Sequence, residues 1–337
     1  MQKDIGTIIV FGATGTLGTY LVDELAHLGY RVVACARRNI NNSNSRGPSI
    51  QLVSVDAVSR RGFEFLPKGG VRGVVQIAGA MPSRMSGYKP QTYIDVNITG
   101  TLNVLEYARS IRAPVHVYMQ SHSDVAGFWN SGKPIPADAT RSLNYKGDHA
   151  VYIISKNAAV DLTEHFHQEH GLRTVVLRLP TIYCYTPINQ MFVNGEMRSI
   201  AYLLMIEHAM KSEPLEIWGN PNIRKDMVYV KDFNQIVVGA IESSSAQGVY
   251  NVGTGVGTSL DEQVKGIVEV FSPNGKPSPI VYRPEKPSQT GYIYDISKTH
   301  KDLGYTPKFP YLTSLRDMKI EMQGNRFADL EKADLSI

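Results

Sequence analysis

Cysteine and tryptophan are both scarce in this chain of 337 residues, with two of each. Cys35 and Cys184 cannot build a disulfide framework, and so low a thiol count fits a reducing, cytoplasmic setting. No run approaches the ~18 consecutive apolar residues that a membrane span requires. The first residues carry no basic, apolar and small-residue series of a secretory signal and lead from Met1 into a strand-like segment. A charge excess is missing too. The 35 basic and 31 acidic residues leave a net +4, and no local basic stripe argues for a nucleic-acid partner. No internal repeat is visible. The remainder is 42% hydrophobic and 20% charged, which excludes a disordered chain. At roughly 150 residues per domain, the length suggests two units.

Short apolar, β-branched runs alternate with amphipathic stretches over the first 180 residues. Strands are predicted at Thr7–Phe11, Tyr30–Ala36, Ile50–Val55, Val71–Ala78, Val115–Gln120 and Thr174–Leu179. Helices are predicted at Leu17–Leu28, Thr92–Ser110 and Val151–His170. Strands without polar alternation, separated by helices, indicate an α/β fold with a doubly wound parallel sheet covered on both faces. Beyond Pro180 the pattern loosens, yet Asp226–Val230 and Gly248–Val252 still resemble parts of the first unit. We therefore expect interleaving: residues 1–185 with a return at about 226–255, a smaller α/β unit from 186–225 and 256–323, and a polar, weakly ordered tail at 324–337. Residues 39–48 are rich in Asn and Ser and read as a loop.

Gly12-Ala13-Thr14-Gly15-Thr16-Leu17-Gly18 follows the first strand and opens the first helix. Glycines there let the chain turn, let backbone approach a pyrophosphate, and let helix pack on strand. The helix N-terminus adds N–H groups and a positive dipole end. The motif thus points to a dinucleotide, although its GxxGxxG spacing also suits an ordinary βα turn. The second strand ends at Ala36-Arg37-Arg38 with no carboxylate. A carboxylate would bind the ribose 2′-OH of NAD, whereas arginine accommodates the 2′-phosphate of NADP. The pair therefore favours NADP over NAD, unless these are simply surface arginines beside a loop. Asp56, followed by Ala57, is placed either to accept from an adenine amino group or to cap its own loop.

Tyr152 and Lys156 stand at i and i+4 of a long helix, on one face. Hydride transfer at a carbinol carbon needs an acid–base group beside the oxygen, and tyrosine near pKa ~10 is a poor base at neutral pH. A neighbouring ammonium favours the phenolate. The same spacing recurs at Tyr282/Lys286 and Tyr294/Lys298, but neither pair lies in a long helical segment.

These residues carry a resemblance. GATGTLG at 12–18, VNITGT around Asn97, YIISK at 152–156, RLPTIY at 178–183 and KDMVYVKD at 225–232 occur in one order. The chain resembles an extended short-chain dehydrogenase/reductase of the NAD-dependent epimerase/dehydratase group over roughly residues 5–320. The resemblance implies a Rossmann domain for NAD(P) and a smaller domain for a nucleotide-diphosphate sugar. It implies that Gly12, Gly15, Thr16, Leu17 and Gly18 hold the pyrophosphate and that Ile77-Ala78-Gly79 and Pro180 lie along the cofactor. Asn97 would interrupt its helix, and Lys156 would bind the nicotinamide ribose and tune Tyr152. It also implies a homodimer formed through helices 92–110 and 148–170.

Three departures from that pattern stand out. The serine or threonine after the fifth strand falls within Ser121-His122-Ser123-Asp124, where gapless alignment selects His122 and a one-residue shift selects Ser123. Ser123 is the choice here, since a hydroxyl can polarise a substrate oxygen and bond Tyr152. Dehydration would use a Thr-Asp-Glu run, whereas only Asp124 offers a carboxylate. Thr181 and Lys225 stand where asparagine and arginine would meet the sugar diphosphate, while Arg283 matches its later arginine. The expectation is an epimerase or keto-reductase of a nucleotide sugar. The alternatives are an NADPH-dependent reductase of a carbonyl compound without a nucleotide and a non-catalytic dinucleotide sensor. His165, His167 and His170 lack metal-site spacing, so no metal is expected. Phe128 and Trp129 are candidates for a substrate pocket, and Trp218 is expected in the core.

Overall fold

Strand β1 (Thr7–Phe11) is apolar on both sides, and the two sides serve different layers. Ile8 and Val10 pack with Leu21, Val22 and Leu25 of helix α1 (Thr16–His27), while Ile9 and Phe11 join Val104, Leu105 and Phe166 on the other face. This double burial is what a continuous apolar run means in a parallel sheet. The computed structural model describes residues 5–37, 47–82, 85, 87–147, 149–193 and 196–327. Arg38 and the predicted loop through residue 46 lie outside them.

The chain continues through β2 (Arg31–Ala36), β3 (Ile50–Ser54) and β4 (Val71–Gln76). A long helix follows in three parts: α2 (Pro90–Tyr93), a π-helical segment (Ile94–Thr99) and α3 (Gly100–Ser110). Then come β5 (His116–Ser121), α4 (Ala150–His170), β6 (Thr174–Leu179) and β7 (Thr181–Tyr183). The rest comprises β8 (Gln190–Val193), β9 (Glu196–Ser199), α5 (Ala201–Met210), β10 (Leu215–Trp218), β11 (Arg224–Tyr229), α6 (Val230–Glu242), β12 (Gly248–Asn251), β13 (Gly257–Ser259), α7 (Leu260–Phe271), β14 (Ile280–Arg283), α8 (Ser297–Leu303) and α9 (Tyr311–Glu321).

Seven strands form a parallel sheet in the order β3-β2-β1-β4-β5-β6-β12, so the chain has a Rossmann-type α/β fold. The order reverses between β1 and β4, and a crevice at such a reversal is where ligands of open α/β sheets bind. Gly248–Asn251 does return to this sheet. Arg224–Tyr229 does not: it pairs parallel with β7 and antiparallel with β13 in a separate three-stranded sheet. Only its following helix α6 rejoins the first layer, against α1, where Asn234 donates to the Tyr20 carbonyl. β10 and β14 form a parallel pair, and β8 and β9 an antiparallel one.

Two expectations need correction. Trp218 is not core; it is 48% exposed on a two-stranded edge, with its indole N–H donating to Glu216. The tail is anchored at its start, because Phe327 is buried edge-on against Tyr20 and Arg326 is paired with Asp23. Among the described residues, no helix is long and apolar enough to cross a membrane.

Candidate active site

The glycines of the first loop have three different jobs. Gly12 has φ +85°, and a Cβ there would lie 2.5 Å from the Ala78 amide nitrogen. At Gly18 a Cβ would lie 2.1 Å from the Gly12 carbonyl oxygen, so helix and loop can close only on a hydrogen. Gly15 is exposed and closes the turn, its N–H donating to the Gly12 carbonyl and its own carbonyl accepting from the Thr19 amide. The amides of Gly12 and Ala13 donate to the Cys35 carbonyl, tying the loop to the end of β2. Gly15 is the N-cap of α1 and contributes no side-chain cap, so the positive end of the helix dipole faces the loop. Thr16 is turned inward, its hydroxyl 3.0 Å from that of Thr186, and Leu17 is half-buried. This cradle fits a dinucleotide pyrophosphate.

Arg37 is exposed at the end of β2. Asp56 accepts from the Val58 amide through Oδ1, and its carbonyl accepts from Ser59, so it closes its own turn and leads into Ala57. Across the reversal, Ile77 and Ala78 both donate to the Phe11 carbonyl, which places 77–79 beside the glycine loop. A Cβ on Gly79 would stand 3.3 Å from Asn97 Oδ1 and 3.7 Å from Lys156 Nζ. Only a glycine fits easily between those two side chains.

Asn97 sits in the π-helical segment, buried, and braces two elements. Its Oδ1 accepts from the Ala80 amide at 2.8 Å, and its Nδ2 donates to the Ala80 carbonyl and to Ser155 Oγ. Ser155 in turn donates to the Tyr152 carbonyl at 2.7 Å. The wider turn is what brings the amide to this position, as π-bulges often do at functional sites.

Tyr152 and Lys156 lie on the first turns of α4, with the Tyr152 ring 5.8 Å from that of Tyr93. Burial raises the Tyr152 pKa, and the nearby Ser121 hydroxyl works against that rise. Lys156 is buried with its ammonium 4.2 Å from the centre of the Tyr118 ring. Desolvation lowers its pKa to about 7.

The four residues after β5 separate. The Ser121 hydroxyl, which sequence reasoning passed over, is near enough to the Tyr152 phenol to favour its ionisation. It also donates to Ser123 Oγ and accepts from the Ser123 amide, both at 3.3 Å. His122 packs against Trp129 and Tyr292, at 5.5 and 5.3 Å between ring centres, and desolvation holds its pKa at about 3. Asp124 points away into the protein, where both carboxylate oxygens accept from Arg178 Nε at 3.0 Å. The guanidinium is completed by the Ala137 carbonyl and Asn251.

The His122–Trp129–Tyr292 cluster meets residues from the small sheet. Lys225 Nζ is 5.4 Å from the Tyr292 ring centre, and burial lowers its pKa to about 8. The Tyr292 hydroxyl accepts from the Thr181 amide, just after the buried Pro180. Beside Lys225, Asp226 is buried and accepts from the Thr254, Gly255 and Tyr294 amides. Phe128 is half-buried in the same cluster as Trp129. Arg283 lies on an exposed edge and is paired with Glu216 at 2.9 Å. Among the described residues, no group of His, Cys, Asp or Glu could hold a metal; His167 donates from Nδ1 to the Leu172 carbonyl.

Comparison with known proteins finds relatives over most of the chain. The model of the NAD dependent epimerase/dehydratase family matches residues 8–253. A protein of Methanocaldococcus jannaschii described as a putative UDP-glucose 4-epimerase is 24% identical over 318 residues, covering 94% of this chain and 99% of its own. The UDP-glucose 4-epimerase of Thermotoga maritima, solved with UDP-glucose, superposes with a TM-score of 0.76 at 22% identity, covering 94% and 100%. That of Thermus thermophilus, solved with NAD, gives 0.73 at 21% identity, covering 94% and 99%.

Proposed function

Since the chain belongs to the NAD dependent epimerase/dehydratase family and is an enzyme of the extended short-chain dehydrogenase/reductase type, we propose that it epimerises or reduces a sugar carried on a nucleoside diphosphate. The observation that carries this reading is Tyr152 one helical turn from a buried Lys156, beside a glycine cradle and near the Ser121 hydroxyl. Relatives described as UDP-glucose 4-epimerases support the nucleotide-sugar class.

When bound, the dinucleotide supplies hydride acceptance and donation. Gly12, Gly15, Thr16, Leu17 and Gly18 would hold its pyrophosphate, with Ala57 beside the adenine end and Ile77, Ala78, Gly79 and Pro180 along the other half. Asp56 is then a turn-closing residue first. Tyr152 takes the proton of a sugar hydroxyl during oxidation and returns it during reduction. Ser121 keeps the phenol oriented, and Ser123 stabilises Ser121. The Lys156 ammonium favours the phenolate. Lys225, a half-buried cation, and Thr181 would meet the diphosphate, with Arg283 at the outer edge.

Arg37, in the absence of a carboxylate at the end of β2, supports NADP, while solved relatives with NAD support NAD. Native mass spectrometry of the purified protein distinguishes them, and also distinguishes epimerase from reductase by whether a nucleotide sugar and tightly held cofactor co-purify. We further assign residues 1–180 and 230–255 to the dinucleotide unit, with β7 and β11 outside its sheet, and a homodimer through α3 and α4. A monomer in light scattering at micromolar concentration argues against the dimer.

The central test is Tyr152→Phe assayed with UDP-glucose and UDP-galactose. Turnover should fall about 10²–10⁴-fold, the usual reach of one general acid–base group, with cofactor affinity unchanged. Undiminished turnover removes Tyr152 from the mechanism.

A further inference from the structure

We propose that Tyr118 is a positioning residue for the reaction: the face of its ring seats the Lys156 ammonium and holds it beside Tyr152 in place of a carboxylate. This rests on the reading of Tyr152 and Lys156 given above. Tyr118 is the third residue of the interior strand β5, is 1% exposed, and packs with Ala159 and Val160 of α4. The Lys156 nitrogen is 4.2 Å from its ring centre, within the distance at which a cation is attracted by the negative face of an aromatic quadrupole.

The rest of the described surroundings offers no anion. The Gly79 backbone and the Asn97 amide, which stand at the same place, are uncharged. A carboxylate at this depth would neutralise the ammonium and compete with a ribose hydroxyl for its protons. An aromatic face stabilises the cation yet accepts no strong hydrogen bond, so the N–H groups stay available for ligand.

The charge on Lys156 is read directly, without any need for a known substrate. In the NAD-loaded protein the ammonium–amine midpoint is followed by nuclear magnetic resonance of carbon-13-labelled lysine side chains, the Lys156 signal being the one lost in Lys156→Met. Tyr118→Phe keeps the ring face and should leave this midpoint within about 0.2 unit of the parent. Tyr118→Leu, and pentafluorophenylalanine at 118, which keeps the ring shape but reverses its quadrupole, should lower the midpoint by about half to one unit. The second substitution covers a failure of the leucine variant to fold. An unmoved midpoint in both ring-face variants overturns the role of Tyr118, as does an equal shift in Tyr118→Phe, which would assign the effect to the hydroxyl. Undiminished turnover in Lys156→Met, a separate measurement, overturns the Tyr152–Lys156 reading itself.

Discussion

At Lys225 a cation stands where desolvation is its dominant influence, and burial lowers its pKa from 10.5 to about 8. The unfolded chain therefore binds more protons than the folded one between pH 8 and 10.5, and stability rises with pH across that window. Below pH 8 the whole penalty is present, at most about 3 kcal/mol for a shift of this size. Lys225→Met should raise the melting temperature of the cofactor-free protein by roughly 5 °C at pH 7 and by clearly less at pH 10. An equal gain at both pH values would show that packing, not charge, is responsible. The variant should also bind UDP more weakly, since the destabilising cation is the one assigned to the diphosphate. At the catalytic oxygen the competing groups are Ser121, His122 and Ser123. Ser121→Ala should lower kcat about tenfold or more through loss of the hydroxyl that eases ionisation of the phenol, with Ser123→Ala acting more weakly. The reverse order, read from initial rates on one substrate, would return the role to Ser123.

The elements set which of these neighbours meets the phenol, and here sequence and structure part company. The glycine loop, the strand–helix alternation and the Tyr152–Lys156 pair were legible because each depends on spacing within one element. Ser121 was not, since three polar residues in a row leave the choice to where β5 ends and which way its last side chain points. Tyr118 and Tyr292 were invisible for a related reason: each acts across elements, one from the sheet onto α4 and one from residue 292 onto residue 122. Trp218 was misread because an apolar strand pattern does not reveal that its sheet has only two strands. Arg224–Tyr229 was misplaced because a short apolar strand carries no mark of which sheet it joins. Asn97 shows the reverse case, where a residue expected to interrupt a helix does so by widening it. Its amide answers three groups on two elements. Asn97→Ala leaves the Ala80 amide and carbonyl without these partners and should destabilise the protein by about 2–4 kcal/mol. Chemical denaturation would measure this, and a loss under about 1 kcal/mol would mean the π-helical turn is held by backbone alone.

The whole molecule is tied together at a place where composition suggested only a tail. Arg326 pairs with Asp23 of α1 and with Glu321 of α9, and its guanidinium carbon stands 4.5 Å from the Tyr20 ring centre. Phe327 is buried edge-on to Tyr20 and Tyr185. The Tyr20 hydroxyl donates to the Tyr185 carbonyl, and Thr16 meets Thr186 one residue further on. Two residues near the end of the described chain thus join the helix that opens the phosphate cradle to the stretch leading out of the large sheet. Glu321 also pairs with Lys231, so α6 belongs to the same network. Phe327→Ala should cost about 3–4 kcal/mol, as for other buried aromatics, and lower the melting temperature by several degrees. Arg326→Ala should cost less, because its partners are half-solvated and exposed pairs contribute little. If the segment also steadies α1, Phe327→Ala will weaken NAD or NADP binding by several-fold at temperatures where the protein is still folded. Isothermal titration of the folded variant decides this: unchanged affinity confines the segment to stability, and a loss extends its reach to the cradle.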